Sequence, residues 1–323
     1  MPPSKDQESA SSVSPCAAFF LVGPTAAGKS AVAQHIAEAQ DWNILSADSM
    51  LVYREMDIGT AKPSKDERAR VVYGGLDLEN PDKPFNVGQY IEHACGFLNE
   101  AFAREKQSIV TGGTGLYVKC LTEGLAQLPP ADPALRVWAE ALLEKDGIAA
   151  LQKVLQERDT VRYEALKDKN NPRRLIRALE LVGQEPGNTK TWSTEPSVPM
   201  IGLAVDPELL AANIRTRVRR MYDSGLLDEV DRLLLSYTKL SETASQAIGY
   251  AEAIAVRQGL MTLDDAMART VVRTRQLAKR QMTWFRHQAN VIWISVGKNS
   301  MIEQVAGQVL ARWKQYGQTP VVS

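Results

Sequence analysis

Short apolar runs separated by helix-like stretches fill the first part of the chain. Residues 17–22, 42–47 and 108–111 are apolar runs of the length typical of buried strands. Between them, residues 31–40 and 87–104 place apolar side chains at helical spacing. Strands that alternate with helices predict a parallel sheet joined by crossover helices, which is an α/β fold.

The pattern changes near residue 133, after the breaker cluster LPPADP at 128–133. Residues 134–185 carry only helical spacing, and the stretch 184–199 contains three prolines. An apolar run at 199–205 then predicts another strand. Later segments predict helices at 207–224, 226–236, 245–258 and 262–288, and a last strand at 291–296. We therefore expect a helical insertion, residues 133–198, within a core formed by residues 17–132 and 199–316. Residues 1–16, rich in Ser and Pro, predict a disordered tail.

Composition narrows the class of protein. The 323 residues are 44% hydrophobic and 24% charged, as in globular domains. No apolar run approaches the ~20 residues that span a bilayer, and the start lacks the pattern of a signal peptide. Three scattered cysteines form neither a zinc pattern nor a disulfide framework. A cytoplasmic protein without membrane association is expected.

The strongest chemical signal is GPTAAGKS at residues 23–30, which follows a predicted strand and precedes a predicted helix. This is the P-loop pattern of nucleotide-binding proteins, whose backbone N–H groups and helix N-terminus surround a polyphosphate. Lys29 adds a full positive charge, and the Ser30 hydroxyl is placed to bind Mg²⁺. The predicted cradle contains Gly23, Thr25, Ala26, Ala27, Gly28, Lys29 and Ser30.

Two further segments follow strands and should lie at the same sheet edge. Asp48 could cap the next helix, hold Mg²⁺ through water or act as a base. The strand 108–111 ends in Gly112-Gly113-Thr114-Gly115, without the metal-binding carboxylate that many P-loop NTPases place there. We expect these glycines to let a ligand approach the backbone, and the cradle to hold a leaving group other than ADP.

Basic residues are segregated although the formal net charge is zero. Residues 266–302 contain no Asp or Glu, and Arg269, Arg273 and Arg280 share one face of a predicted helix whose other face is apolar. The insertion carries a second basic set, Arg173, Arg174 and Arg177. Either set alone could be a solvated face, but together they indicate a groove for nucleic acid.

At this point the sequence resembles the bacterial tRNA dimethylallyltransferase family, also called delta(2)-isopentenylpyrophosphate transferases. The resemblance covers residues 17 to about 310 and rests on several motifs, GPTAAGKS (23–30), SADSMLVYREMDIGTAKP (46–63), GGTGLYVKCLTEGL (112–125), NNPRRLIRALE (170–180), IGYAEAI (248–254) and TRQLAKRQMTWFR (274–286). It implies a P-loop NTPase-like core. The implied reaction transfers a dimethylallyl group from its diphosphate to N6 of the adenosine 3′ of the anticodon in tRNA.

The resemblance also implies roles for particular residues. Asp48 matches the proposed general base, and Thr114 its partner at the reaction centre. Residues 25–30 and Arg217 match the diphosphate site, with Mg²⁺ as cofactor. The segments expected to contact tRNA contain Asp48, Ser49, Met50, Leu51, Thr114, Arg136, Arg173, Arg174, Leu175, Ile176 and Arg177, and the basic helix adds Arg273 and Arg280. A monomeric bacterial-type enzyme without the eukaryotic zinc finger is expected. The chain departs from the family at Asn213, where an Arg is common.

Three other functions fit part of the pattern. A small-molecule kinase would share the P-loop core but needs neither the basic helix nor residues 112–115. A non-catalytic RNA-binding module would bind tRNA without using Asp48. A transferase acting on free AMP would need no helical insertion.

Overall fold

The computed structural model describes residues 16–125, 132–184 and 198–322. Contacts divide the chain into two units. Described residues 16–124 and 198–322 belong to the first unit, and residues 132–184 belong to the second. The predicted tail lies outside the described residues except for Cys16, as do most of the two predicted linkers.

The first unit contains a sheet whose strands are β1 (Ala17–Val22), β2 (Asn43–Ser46), β3 (Tyr73–Gly74), β4 (Ser108–Gly112), β5 (Met200–Val205), β6 (Val291–Val296) and β7 (Thr319–Pro320). Six strands are parallel in the order β3-β2-β4-β1-β5-β6, and β7 pairs antiparallel with the start of β1. The α/β class is therefore confirmed.

Helices cover the sheet and extend beyond it in the first unit. They are α1 (Lys29–Gln40), α2 (Lys65–Arg70), α3 (Val87–Ala103), α4 (Gly115–Glu123), α8 (Pro207–Asp223), α9 (Leu226–Ser236), α10 (Glu242–Ser245), α11 (Tyr250–Arg257), α12 (Leu263–Gln288) and α13 (Ile302–Tyr316). The predicted helix 245–258 corresponds to α11, which begins only at Tyr250 because Gly249 before it has a φ of 93°. Helices α2, α4 and α13 were not predicted.

Alternation along the strands builds a core on each face of the sheet. In β1, Phe20 and Val22 pack on one side with Tyr90 of α3. Leu21 packs on the other side with Ile36 of α1. Because both faces are covered, β1 is apolar throughout, which is why it was recognisable in the sequence.

The order of the strands determines where a ligand can bind. Strand β1 lies between β4 and β5 rather than beside β2, so the connection that leaves β1 runs toward β2 while the connection that leaves β4 runs the opposite way, toward β5. Such a switch point opens a crevice at the carboxyl edge of a parallel sheet. The loops after β1, β2 and β4 all reach this edge.

The second unit is helical, with α5 (Pro133–Arg158), α6 (Thr160–Ala165) and α7 (Pro172–Glu180). Asp132 and Asn171 cap the first and last of these, each followed by proline at the first helical position. Leu151, Leu155 and Leu175 are fully buried in its own small core. Throughout the described chain, each helix is too short or too polar to cross a membrane.

Candidate active site

The P-loop runs from the end of β1 at Val22 to the start of α1 at Lys29. Gly23 has a φ of 135°, and a Cβ there would lie 2.8 Å from the Leu203 carbonyl oxygen of β5. Gly28 has a φ of 88° at the helix N-cap. Glycine is therefore required at both ends, by backbone contact at Gly23 and by conformation at each.

Two distant side chains hold the middle of this loop. The backbone N–H of Thr25 donates to Oε1 of Gln281 at 2.7 Å. Asn213 Nδ2 donates to the Ala26 carbonyl at 3.3 Å, and Ala26 itself has a φ of 63°. The two side chains come from α12 and α8, so the loop is attached to the helical layer. Asn213, where the family commonly has Arg, thus has a structural role here.

Two positively charged side chains, those of Lys29 and Arg217, lie near the P-loop. Lys29 is buried, and its Nζ donates to the Pro24 carbonyl at 2.7 Å. Burial lowers the pKa of Lys29 to about 8; Asp48 raises it and Arg217 lowers it further. Burial also lowers the pKa of Arg217, against the opposing effect of Asp48. The structure thus brings Lys29, Arg217 and Asp48 into one electrostatic cluster, as the sequence predicts.

The loop of Asp48, after β2, contacts Thr114, after β4. The Thr114 hydroxyl accepts the Ser49 N–H at 3.1 Å, and the Thr114 N–H donates to the Ala47 carbonyl at 3.1 Å. Asp48 Oδ1 accepts the Met50 N–H at 2.9 Å, which shapes the loop and leaves Oδ2 for another donor. All of Asp48, Ser49, Met50, Leu51 and Thr114 are partly exposed.

Tyrosines that the sequence did not single out lie beside this pair. The rings of Tyr90 and Tyr117 stack with centroids 3.9 Å apart, and Tyr90 Oη donates to the Ser46 carbonyl at 2.9 Å. Burial raises the pKa of both phenols, and the charge of Asp48 adds to this effect. They therefore stay neutral, and as buried core residues they support the end of β2 that leads into the Asp48 loop.

Gly112 at the end of β4 and the glycines that follow it are closely packed against other parts of the protein. A Cβ on Gly112 would lie 2.2 Å from the Ala47 carbonyl oxygen, and one on Gly113 would lie 2.1 Å from Gln281 Nε2. A Cβ on Gly115 would lie 2.3 Å from the Trp284 ring. The space that a side chain would take at these positions is filled by protein, so packing alone requires glycine there; that a ligand approaches this backbone stays a prediction.

In the second unit, several predicted tRNA-binding residues have structural partners. Arg136 Nε lies 2.8 Å from Oε1 of Glu180, and Arg177 Nη1 lies 2.7 Å from Oε2 of the same carboxylate, which is fully buried. The side chains of Leu175 and Ile176 are buried in the core, so the prediction that they contact tRNA is corrected. Arg173 and Arg174 are exposed.

A similar arrangement occurs on α12 in the first unit. Arg273 Nη1 lies 2.6 Å from Oε1 of Glu252, and Arg269 Nε lies 3.5 Å from the same oxygen. Arg273 Nη2 also donates to the Gln246 carbonyl at 2.8 Å. Arg273 thus has a structural partner in a buried carboxylate, and its contact with tRNA stays a prediction. Arg280 is exposed, and it lines a surface cleft together with Lys279, Trp284 and His287.

The side chains at this edge suit Mg²⁺ better than a metal held by protein alone. No group of three or more His, Cys, Asp or Glu in the described ranges could hold a metal ion. The exposed Ser30 and the Asp48 carboxylate offer oxygen ligands near the phosphate cradle. Because Mg²⁺ commonly takes one or two protein oxygens plus substrate phosphates and waters, this donor set fits it.

Comparison with known proteins gives consistent results. The family model described as IPP transferase matches residues 51–288, and that described as isopentenyl transferase matches residues 16–73. The chain is 38% identical over 299 residues to tRNA dimethylallyltransferase 2 of Syntrophus aciditrophicus, covering 90% of this chain and 96% of that one. It is 40% identical over 297 residues to tRNA dimethylallyltransferase of Geobacter metallireducens, covering 89% and 96%.

Solved structures are similar as well. The tRNA isopentenylpyrophosphate transferase of Bacillus halodurans superposes with a TM-score of 0.66 at 32% identity, over 92% of this chain and 96% of that one. A eukaryotic dimethylallyltransferase acting on tRNA superposes with a TM-score of 0.72 at 21% identity, covering 93% of this chain and 76% of that one. The second likeness concerns the fold alone.

Proposed function

The chain belongs to the IPP transferase family, and on this premise we propose that it transfers a dimethylallyl group from dimethylallyl diphosphate to N6 of the adenosine 3′ of the tRNA anticodon. The observation that carries the proposal is the cluster of Lys29, Arg217 and Asp48 at one sheet edge, with Thr114 bonded to the loop of Asp48. It combines a cationic cradle for a diphosphate with a carboxylate for an amine.

The positively charged groups around the P-loop would make diphosphate a better leaving group. Lys29 and Arg217, together with the N–H groups of the P-loop, would neutralise charge that develops as the bond between C1 of the allyl group and oxygen breaks. Such preorganised electrostatic stabilisation usually contributes more to catalysis than any other single effect. The missing carboxylate at the end of β4 supports a diphosphate rather than ATP as the occupant.

The Asp48 carboxylate would act on the acceptor, the N6 amino group of the adenine. As N6 forms its bond to C1, the amino nitrogen loses a proton, and Oδ2 of Asp48 is the acceptor we assign. Thr114 would orient the amino group, since its hydroxyl lies on the loop of Asp48.

We propose that Ser30 and Asp48 would hold Mg²⁺ together with the diphosphate, and that the bound ion would neutralise phosphate charge. Lys29 and Arg217 would supply further positive charge to the phosphate oxygens.

The target adenine is stacked in RNA and must be flipped out, at a cost of roughly a few kcal/mol. Contacts to the sugar-phosphate backbone would offset this cost, and the exposed Arg173, Arg174 and Arg280 are our candidates. The segment Asp48–Leu51 would face the flipped base. We further propose that the protein acts in the cytoplasm as a monomer.

One experiment tests the reaction. The protein is incubated with dimethylallyl diphosphate, Mg²⁺ and unmodified tRNA that carries an A-A-A run after the anticodon, and the nucleosides are analysed by mass. We expect N6-(dimethylallyl)adenosine and diphosphate, and far less of both from Asp48→Asn. Phosphotransfer from ATP without prenylation would favour the kinase alternative, and prenylation of free AMP would favour the AMP-dependent one.

A further inference from the structure

Glu229 is a buried carboxylate that the reaction proposed above does not use. It lies on α9 and is 3% exposed. Its oxygens accept the backbone N–H groups of Asp57 at 3.2 Å, Ile58 at 2.9 Å and Gly59 at 3.4 Å. The Tyr250 hydroxyl donates to Oε1 at 2.5 Å. A carboxylate with this many donors fixes the backbone that supplies them, because charge-assisted hydrogen bonds are strong.

The turn fixed by Glu229 comprises residues 57–60, which follow β2 and the Asp48 loop along the chain. Its last residue, Thr60, anchors the turn further, since Thr60 Oγ1 donates to the Met56 carbonyl at 2.6 Å. A Cβ on Gly59 would lie 2.3 Å from Tyr250 Cε2. The Tyr250 ring therefore packs directly on the turn while its hydroxyl holds Glu229.

The turn, in turn, is hydrogen-bonded to Arg217. The Thr60 carbonyl accepts a hydrogen bond from Arg217 Nη2 at 3.0 Å. Arg217 is partly buried, and its charge acts on both Lys29 and Asp48. A shift of the Thr60 carbonyl would therefore move the guanidinium relative to the P-loop.

We propose that Glu229 is a positioning residue for the diphosphate site, which aims Arg217 at the P-loop by fixing the turn of residues 57–60. The inference rests on the function proposed above, because it assumes that Arg217 binds diphosphate. It predicts that Glu229 affects the allyl donor and not the RNA.

The test measures binding of inorganic pyrophosphate with Mg²⁺ by calorimetry. Glu229→Gln keeps the shape of the side chain but turns one acceptor into a donor that faces backbone N–H groups. We expect about tenfold weaker pyrophosphate binding, the scale of losses when an outer partner of a ligand is changed, together with a raised KM for dimethylallyl diphosphate. The KM for tRNA should not change. Tyr250→Phe, which removes one hydroxyl, should act in the same direction to a smaller extent.

Glu180→Gln is the matched control. Glu180 is also a buried carboxylate that holds two donors, but it lies in the second unit. This variant should lose stability and keep its pyrophosphate affinity. If Glu180→Gln weakened pyrophosphate binding as much as Glu229→Gln, the effect would be one of general destabilisation and the inference would be wrong.

A double-mutant cycle with Arg217→Ala separates the role of Glu229 from that of Arg217. Arg217→Ala should weaken pyrophosphate binding, and Glu229→Gln should add nothing in that background. If Arg217→Ala has no effect, the assignment of Arg217 to the diphosphate site fails and the inference fails with it. If Arg217→Ala weakens pyrophosphate binding but Glu229→Gln alone does not, only the role of Glu229 is overturned. The same holds if Glu229→Gln keeps its full effect in the Arg217→Ala background. Should Glu229→Gln not fold, the same cycle with Tyr250→Phe decides.

Discussion

Arg273 Nη1 lies 2.6 Å from Oε1 of Glu252, a carboxylate whose side chain is 1% exposed. Glu252 also accepts the Gly249 N–H at 2.9 Å, where the chain turns between α10 and α11. The positive charge of Arg273 therefore compensates a buried negative charge inside the helical layer. A face that looks basic in sequence contains cations with two different functions.

We expect Arg273→Ala to lower the free energy of unfolding by about 3 kcal/mol, because it leaves a buried carboxylate with too few partners. Arg280→Ala, on the same helix, should leave stability within about 0.5 kcal/mol, as surface changes usually do. Urea unfolding of the two variants measures this difference.

In tRNA binding the order of the two variants should be reversed, with the larger effect from Arg280→Ala. Neutralising a phosphate contact lowers the slope of log K against log salt by roughly 0.7–0.9. We expect that change for Arg280→Ala and little change for Arg273→Ala, in titrations of folded protein at several salt concentrations. Equal slopes for Arg280→Ala and the unmodified protein would show that Arg280 belongs to a solvated face.

Lys29 should make diphosphate binding depend on pH. Its pKa of about 8 in the unliganded protein means that it is mostly neutral above that pH. A bound diphosphate favours the charged form, so binding at pH 9 must take up a proton, and affinity should fall as pH rises through 8. Calorimetry of pyrophosphate binding in buffers of different ionisation enthalpy measures the uptake.

Lys29→Arg provides the control for this prediction, since its side chain stays charged at every pH tested. The part of the proton uptake that belongs to Lys29 should vanish, while any ionisation of pyrophosphate remains. Identical uptake by both proteins would contradict a low pKa at Lys29.

Asp48→Asn should separate chemistry from structure at this position. The amide oxygen can still accept the Met50 N–H that Oδ1 accepts now. The general base is lost, so we expect kcat to fall by roughly 10²–10⁴-fold while tRNA affinity is retained. Single-turnover kinetics with prebound substrates measures the step directly. Near-normal kcat would leave Asp48 with its structural role in the loop alone.

Glycine substitutions test the packing described at the end of β4. Gly112→Ala would place a methyl group 2.2 Å from the backbone oxygen of Ala47 and should cost about 3 kcal/mol of stability. Gly96→Ala, on the exposed face of α3 with no neighbouring atom within 4 Å, should add about 0.5–1 kcal/mol. Thermal unfolding compares them, and a stabilising Gly112→Ala would refute the close contact.

The sequence was sufficient for the parts of the site that are local. The P-loop is contiguous, and the strand before it is apolar on both faces, so pattern and spacing identify it. Asp48 and Thr114 were placed together because the carboxyl ends of parallel strands meet at one edge. Arg217 depended on the family resemblance, since a helical arginine alone carries no such signal.

The parts that could not be predicted depend on contacts between distant residues. Gln281 and Thr25 are 256 residues apart, and a glutamine in a basic helix gives no sign of binding a loop. Whether Arg273 faces RNA or Glu252 depends on how α11 packs against α12, which periodicity does not specify. The pair Arg177 and Glu180, three residues apart on α7, is a contact that helical spacing could have revealed.

The short strand β7 has a consequence for the order of assembly. Thr319 and Pro320 pair with Ala18 and Ala17, at the start of the strand that leads into the P-loop, and the Val321 N–H donates to the Cys16 carbonyl at 2.7 Å. The first strand made during synthesis thus waits for one of its neighbours until almost all of the described chain has left the ribosome. The opposite end of β1, which leads into the P-loop, pairs with β4 and β5, so the phosphate cradle can form before the start of the strand gains its last neighbour.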